Sequence, residues 1–348
     1  MSLTRLAEQD KKFKTEKIIT STWSDNTNNL SSVYTSSLND INSPTSSGMF
    51  YINVYHKPTT GHASPDDDAE VQCALAYGNK NGSGSRDFTN DTGSFGKNAA
   101  RCIYGQYRNL IYGDETQNFT FGSHTPEDIY VINVNRGRYK NALNMSSLSL
   151  YLSSSTSTYK LTDDSVSANG AAVQTNLGRQ FNIVSGASGV YSGSTVNQVG
   201  GSASFGLYYP DAGIIILNPD AFASSSDGTS LYPGRHSAFN TNTDNNTQRF
   251  YNALSHSGHF IVDSEETITS RYYFVRARNY EYNYTTNPSF QDASGNVNFT
   301  SMINNPKTFI TTVGLYNDKN ELLAVAKTSQ PISKDSTKEA LIRVKLDY

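Results

Sequence analysis

Four groups of residues have types and spacings that invite a chemical reading. His256 and His259, three apart in "SHSGHF", could supply two metal ligands, but no third ligand is placed by spacing. Two surface histidines near a turn are the plainer reading. Asp163-Asp164 and Glu265-Glu266 are carboxylate pairs of the kind a glycoside hydrolase uses. A chain with 31 acidic residues supplies such pairs by composition alone. Asp66, Asp67, Asp68 and Glu70 form an acidic cluster, yet it lacks the alternating oxygen ligands and Gly-permitted turn of a Ca²⁺ loop. Cys73 and Cys102 are the only cysteines; they read as two free, buried thiols made in a reducing compartment. Gly-x-Ser-x-Gly, His-Glu-x-x-His, Cys-x-x-Cys and Gly-Lys-Ser/Thr signatures are all missing. The expectation is therefore no catalytic residue, no cofactor and no metal: a non-enzymatic protein.

Composition narrows the class further. Of the 348 residues only 17% are charged and 36% hydrophobic, yet 23 are Tyr and 16 are Phe. Aromatic bodies supply the apolar area, while Ser, Thr, Asn and Gly supply uncharged solvation. Tyr, Thr and Phe favour strands and Asn, Gly and Ser favour turns, so the composition leans towards β structure. A net charge of −3 without a long basic run points away from nucleic acid and anionic membranes. No stretch has the roughly 18 apolar residues of a membrane span, and the first 17 residues contain no apolar signal core.

Any site must be positioned by the following elements. Residues 1–48 read as an extended N-terminal arm, because 24–48 is polar and aperiodic. Residues 49–145 read as an α+β domain. In it "MFYINVYH" is a strand, and 64–78 is a helix with Ser64 as N-cap and Pro65 at its first position. A second helix fits 98–112 on the stripe Ile103, Tyr107 and Leu110, closed by Gly113, and "DIYVINVN" is a strand buried on both faces. Residues 146–240 read as a β domain containing the hairpin of 204–222, turned at Pro210–Gly213. Residues 241–348 read as a C-terminal β-sandwich. The fold class is thus mainly β with a minor α+β part: antiparallel sandwich domains plus two short helices in the N-terminal half.

One surface stands out as an interface candidate. In "TSRYYFVRARNYEYNY" (269–284) alternate positions carry Tyr272, Arg276, Arg278, Tyr280, Tyr282 and Tyr284. Tyr and Arg are favoured at binding hot spots, and tyrosines also stack on sugars. A sandwich core whose phase slips at a bulge near Asn279 is the competing reading.

The last segment carries a resemblance. "TTVGLYNDKNELLAVAK" (311–327), followed by "SQPISKDSTKEALIRVKLDY" (329–348), resembles a strand–turn–strand of virion structural proteins of contractile-tailed bacteriophages. "GSGS" (82–85), "IYGQYRNLI" (103–111), "DIYVINVNRGRYK" (128–140), "LTDDS" (161–165) and "YYPDAGIIILNPDAF" (208–222) look similar to the same family. The resemblance spans about residues 75–348, not the arm. It implies a structural tail component, with the baseplate as its place. It also implies a location in the virion after synthesis in the host cytoplasm, and other tail or baseplate proteins and copies of itself as partners. A glycan-binding adhesin of the tail, or a neck or capsid-associated protein, is the alternative.

Overall fold

The structure is a computed structural model. It describes residues 4–30, 33–34, 51–56, 70–82, 99–153, 158–166, 172–188, 190–191, 204–222, 246–284 and 288–348. Its strands in chain order are β1 (Lys11–Ser21), β2 (Val33–Tyr34), β3 (Ile52–His56), β4 (Val71–Asn79), β5 (Asp128–Val134), β6 (Ala142–Leu143), β7 (Ser149–Ser153), β8 (Thr158–Asp163) and β9 (Val173–Thr175). They continue as β10 (Gly178–Ala187), β11 (Val190–Tyr191), β12 (Gly206–Tyr209), β13 (Ile214–Leu217), β14 (Phe260–Ile261), β15 (Asp263–Ala277), β16 (Thr308–Tyr316), β17 (Leu322–Lys334) and β18 (Ala340–Asp347). Two α-helices, α1 (Ala99–Tyr112) and α2 (Asn246–Ser257), accompany them. The protein is mainly β, built from antiparallel sheets with two α-helices among the described residues.

The chain divides into two compact units, Ile18–Glu266 and Met1–Lys17 with Thr267–Tyr348. Domain limits expected at 48, 145 and 240 do not coincide with these. One sheet, ordered β14-β7-β8-β10-β12-β13-β5-β4-β3-β2 with β9 and β11 beside β10, takes strands from both 49–145 and 146–240. The joining pair is β13 and β5, running from Ile214–Asn133 to Leu217–Tyr130.

The larger unit owes its core to runs that are apolar on both faces of this sheet. In β5, Tyr130, Ile132 and Val134 belong to one cluster with Phe250, Ala253 and Leu254 of α2. Ile129 and Val131 belong to a second cluster with Ile103, Tyr104, Tyr107 and Ile111 of α1. The helix stripe runs through Ile111, and Leu110, expected on it, is exposed. The α1 backbone lies close over β4: a Cβ at Gly78 would sit 2.8 Å from the Tyr104 amide nitrogen. Gly113, at φ +67°, closes α1 by donating its N–H to Asn109 O at 2.9 Å.

Residues 71–79 are a strand, not the expected helix. Val71, Leu75 and Gly78 have helical spacing, but Cys73, Leu75 and Tyr77 are buried on one side and Ala76 joins the other cluster. A short run that is apolar on both faces carries no decisive period. The proposed helix start at Ser64–Asp68 lies outside the described residues. The arm is corrected in part as well. Trp23 and Leu30 are buried, and Trp23 donates Nε1–H to Phe260 O at 2.8 Å while its ring packs on Phe260. A large indole with a satisfied N–H anchors this segment in the core.

In the smaller unit, β15 lies between β1 and β18 in one sheet. β16 and β17 form a separate two-stranded antiparallel ribbon turned through Asn317–Glu321, with register shifts between Ile310 and Thr312 and between Leu315 and Tyr316. Val313 and Ala326 of the ribbon line a groove with Ile342 and Val344 of β18. This unit buries little: only Ser270, Ala277, Val313, Lys334, Asp335, Ala340 and Val344 among its described residues.

Candidate protein–protein interface

The register of β15 on β18 sorts the smaller unit's sheet into two faces. Tyr273–Val344, Val275–Ile342 and Ala277–Ala340 are cross-strand pairs on the side that includes the buried Val344 and Ala340. Tyr272–Lys345, Phe274–Arg343 and Arg276–Leu341 are the pairs of the opposite side. There Arg276, Leu341, Arg343 and Lys345 are exposed, and Tyr272 and Phe274 are half-buried. The Arg343 guanidinium lies 5.7 Å from the Tyr272 ring centroid, a cation–π distance. Lys345 is held above its ordinary pKa by a bond to Asp347. Lys14 and Glu16 of β1 interact electrostatically with this set, Lys14 with Tyr272 and Lys345, and Glu16 with Lys345.

The expected alternate row of 272–284 is therefore split. Tyr272 and Arg276 share the open face, and the strand stops at Ala277. Arg278, Tyr280, Tyr282 and Tyr284 lie in a turn segment, exposed but off the sheet, with Tyr282 at φ +56°. The cause is local capture of the backbone by polar groups. Arg278 N–H donates to Glu281 Oε2 at 2.9 Å, and Glu281 N–H donates to Arg278 O at 3.0 Å. The fully buried Lys334 donates Nζ–H to Asn283 Oδ1 at 2.6 Å and to Asn279 O at 3.3 Å. Leu341, Arg343 and Lys345 complete the open face from β18. Their alternation with Ala340, Ile342 and Val344 is visible in the sequence, but the pairing that brings them beside β15 is not.

The ribbon carries a second open surface. Val313, Leu315, Ala324 and Ala326 share its inner face through their cross-strand pairs, leaving Gly314 and Val325 on the outer one. Tyr316 and Leu322 lie over Gly314, where a Cβ would come within 3.0 Å of the tyrosine ring. With Val325, and Leu323 at 68% exposure, they form an apolar cap near the hairpin tip. Of the 21 large hydrophobic side chains exposed among the described residues, 14 belong to the smaller unit, so exposed apolar area is concentrated there.

Of the groups that invited chemistry, Asp66, Asp67 and Asp68 lie outside the described residues, while Glu70 accepts hydrogen bonds from Ser24 Oγ–H at 2.6 Å and Arg138 Nη1–H at 2.5 Å. Asp163 accepts the Ser146 N–H at 3.1 Å, and Asp164 accepts the Asn182 N–H at 3.0 Å. Glu265 lies in β15 opposite Ala142 of β6 and is buried. His256 ends α2, whereas His259 bonds through Nε2 to the fully buried Ser149 Oγ at 3.0 Å and stacks on Tyr151. Burial, then nearby Lys160, lowers the His259 pKa. Burial also raises the Cys73 thiol, and neither cysteine is in a disulfide. Among the described residues no group of three or more His, Cys, Asp or Glu is placed to hold a metal, and no helix is long and apolar enough to cross a membrane. Compared with protein-family models, curated proteins and solved structures, the chain matches none of them.

Proposed function

We propose that this chain is a non-enzymatic structural subunit of a bacteriophage virion, assembling through protein–protein interfaces in the contractile tail, at the baseplate. The observation that carries the assembly half is the smaller unit, which holds 14 of the 21 exposed large hydrophobic side chains among the described residues while burying few residues. Such surface is costly in water and is usually covered by a partner. The phage half rests on the resemblance of residues 311–348. Imaging of intact particles tests both together: density for this chain in the baseplate region, with residues 267–348 against a neighbour, is the expected outcome. Absence of the chain from purified particles defeats the reading. The exposed Tyr280, Tyr282 and Tyr284 favour a second reading, a glycan-binding adhesin of the tail. Tight binding of the purified chain to a glycan array, lost when these tyrosines are changed to Ala, would put that reading first.

A further inference from the structure

Net charge hides a division of sign between the two units. Residues 18–266 hold 13 Lys and Arg against 21 Asp and Glu, whereas residues 1–17 with 267–348 hold 15 against 10. The larger unit is acidic by 8 charges and the smaller is basic by 5. The open face of the smaller unit carries part of that excess: Arg276 and Arg343 are set among Tyr272, Phe274 and Leu341, beside Lys345, which pairs with Asp347 at 2.9 Å. Desolvatable aromatic and aliphatic groups interleaved with cations make a surface suited to an acidic protein partner.

We propose that this face docks on the acidic larger unit of a second copy of the chain. The idea deepens the assembly reading above and rests on it for its biological setting. Charge complementarity selects the occupant, because the chain itself supplies the matching acidic body. It also selects the geometry. Two copies meeting face to face would bring Arg276, Arg343 and Lys345 against their own equivalents, which like-charge repulsion disfavours. The contact is therefore head-to-tail, and repetition closes into a ring or continues as a filament, depending on the rotation between copies.

The test uses the purified full chain in sedimentation velocity over a concentration series at low and high salt. Concentration-dependent association at low salt, weakened by salt, is expected. The Arg276→Glu, Arg343→Glu double variant should weaken it by about tenfold or more. Both side chains are exposed, so an unchanged far-ultraviolet circular dichroism spectrum is expected. Leu341→Ser, a substitution without charge change at a 61% exposed site, should weaken association less. A chain that stays monomeric at every concentration and salt overturns the proposal. So does association that is indifferent to salt, or to the double variant. Salt-sensitive binding to a duplex DNA oligonucleotide, lost in the same double variant without any self-association, also overturns it by giving the face another occupant. These outcomes are read on protein alone and stay separate from the question of whether the chain is found in particles.

Discussion

Arg179 of β10 and Asp211 of the β12–β13 turn join two parts of the large sheet through several bonds at once. The Arg179 amide donates to Asp211 Oδ2 at 2.7 Å, and its guanidinium donates to Oδ1 from Nε at 3.1 Å and from Nη2 at 2.5 Å. Burial alone would raise the Asp211 pKa; the hydrogen bonds from Arg179 outweigh it and hold the carboxyl below its ordinary value. A depressed folded pKa means that the stabilisation is complete above the unfolded value and is lost as pH falls through the folded one. Asp211→Asn should therefore cost about 1–2 kcal/mol in urea unfolding at neutral pH. Its deficit against the parent chain should shrink below about pH 4. A deficit that is the same at both pH values would contradict this account. Gly178 belongs to the same site: it has φ +95°, and a Cβ there would sit 2.3 Å from Asp211 Oδ2. On the other side of the molecule's ledger of contacts, Phe250 stacks on Tyr130 at 4.6 Å with both rings buried. Phe250→Ala should cost about 3–5 kcal/mol, measured by urea unfolding of the larger unit.

At the scale of elements, the hairpin of β16 and β17 was legible because its turn is decided by neighbouring residues. Asn317 Oδ1 accepts the N–H of Lys319 at 2.9 Å and of Glu321 at 2.8 Å, and Asn320 takes φ +61°. Asn317→Ala should weaken the ribbon by about 1–2 kcal/mol, seen as faster amide exchange in β16 and β17. The strand at β4 was misread because its side chains serve two faces. The helix α2 was missed because three apolar residues, Phe250, Ala253 and Leu254, give all of its buried aliphatic and aromatic contact in a polar stretch. The packing of β18 is thinner than a fully buried strand would give. Val344 and Ala340 are buried, while Ile342 and Leu346 are half-buried. Removal of residues 340–348 should still unfold the smaller unit, since each buried aliphatic chain contributes about 1.5–3 kcal/mol and few others exist there. Hydrogen exchange should then show lost protection in residues 267–284 with protection kept in β5 and β13.

Over the whole molecule, stability is unevenly distributed. Two apolar clusters flank the sheet of the larger unit, and the smaller unit has seven buried residues among those described. Amides of β16 and β17 should exchange well before those of β5 and β13, and urea should unfold the smaller unit first. Uniform protection and one transition for both units would contradict that ordering. The candidate face was only half legible for the same reason that the units were: it depends on pairing between residues about 70 apart in sequence, Tyr272 with Lys345 and Phe274 with Arg343. Alternation within one strand shows a face; nothing within one strand shows its neighbour.

The placement of β1 beside β15 also sets a timetable for synthesis. β1 ends at Ser21 and β15 begins at Asp263, so the first strand is made long before the strand it pairs with. At typical translation speeds of about 5–20 residues per second the interval is roughly 10–50 s. Throughout it the nascent strand carries an open edge, and Phe13, Ile18 and Ile19 have no β15 to lie beside. Lys11, Lys12, Lys14 and Lys17 keep that waiting segment charged, the means by which unpaired edges are kept from joining other chains. Replacing these lysines should thus lower the soluble yield during expression more than it lowers the stability of chains that have finished folding.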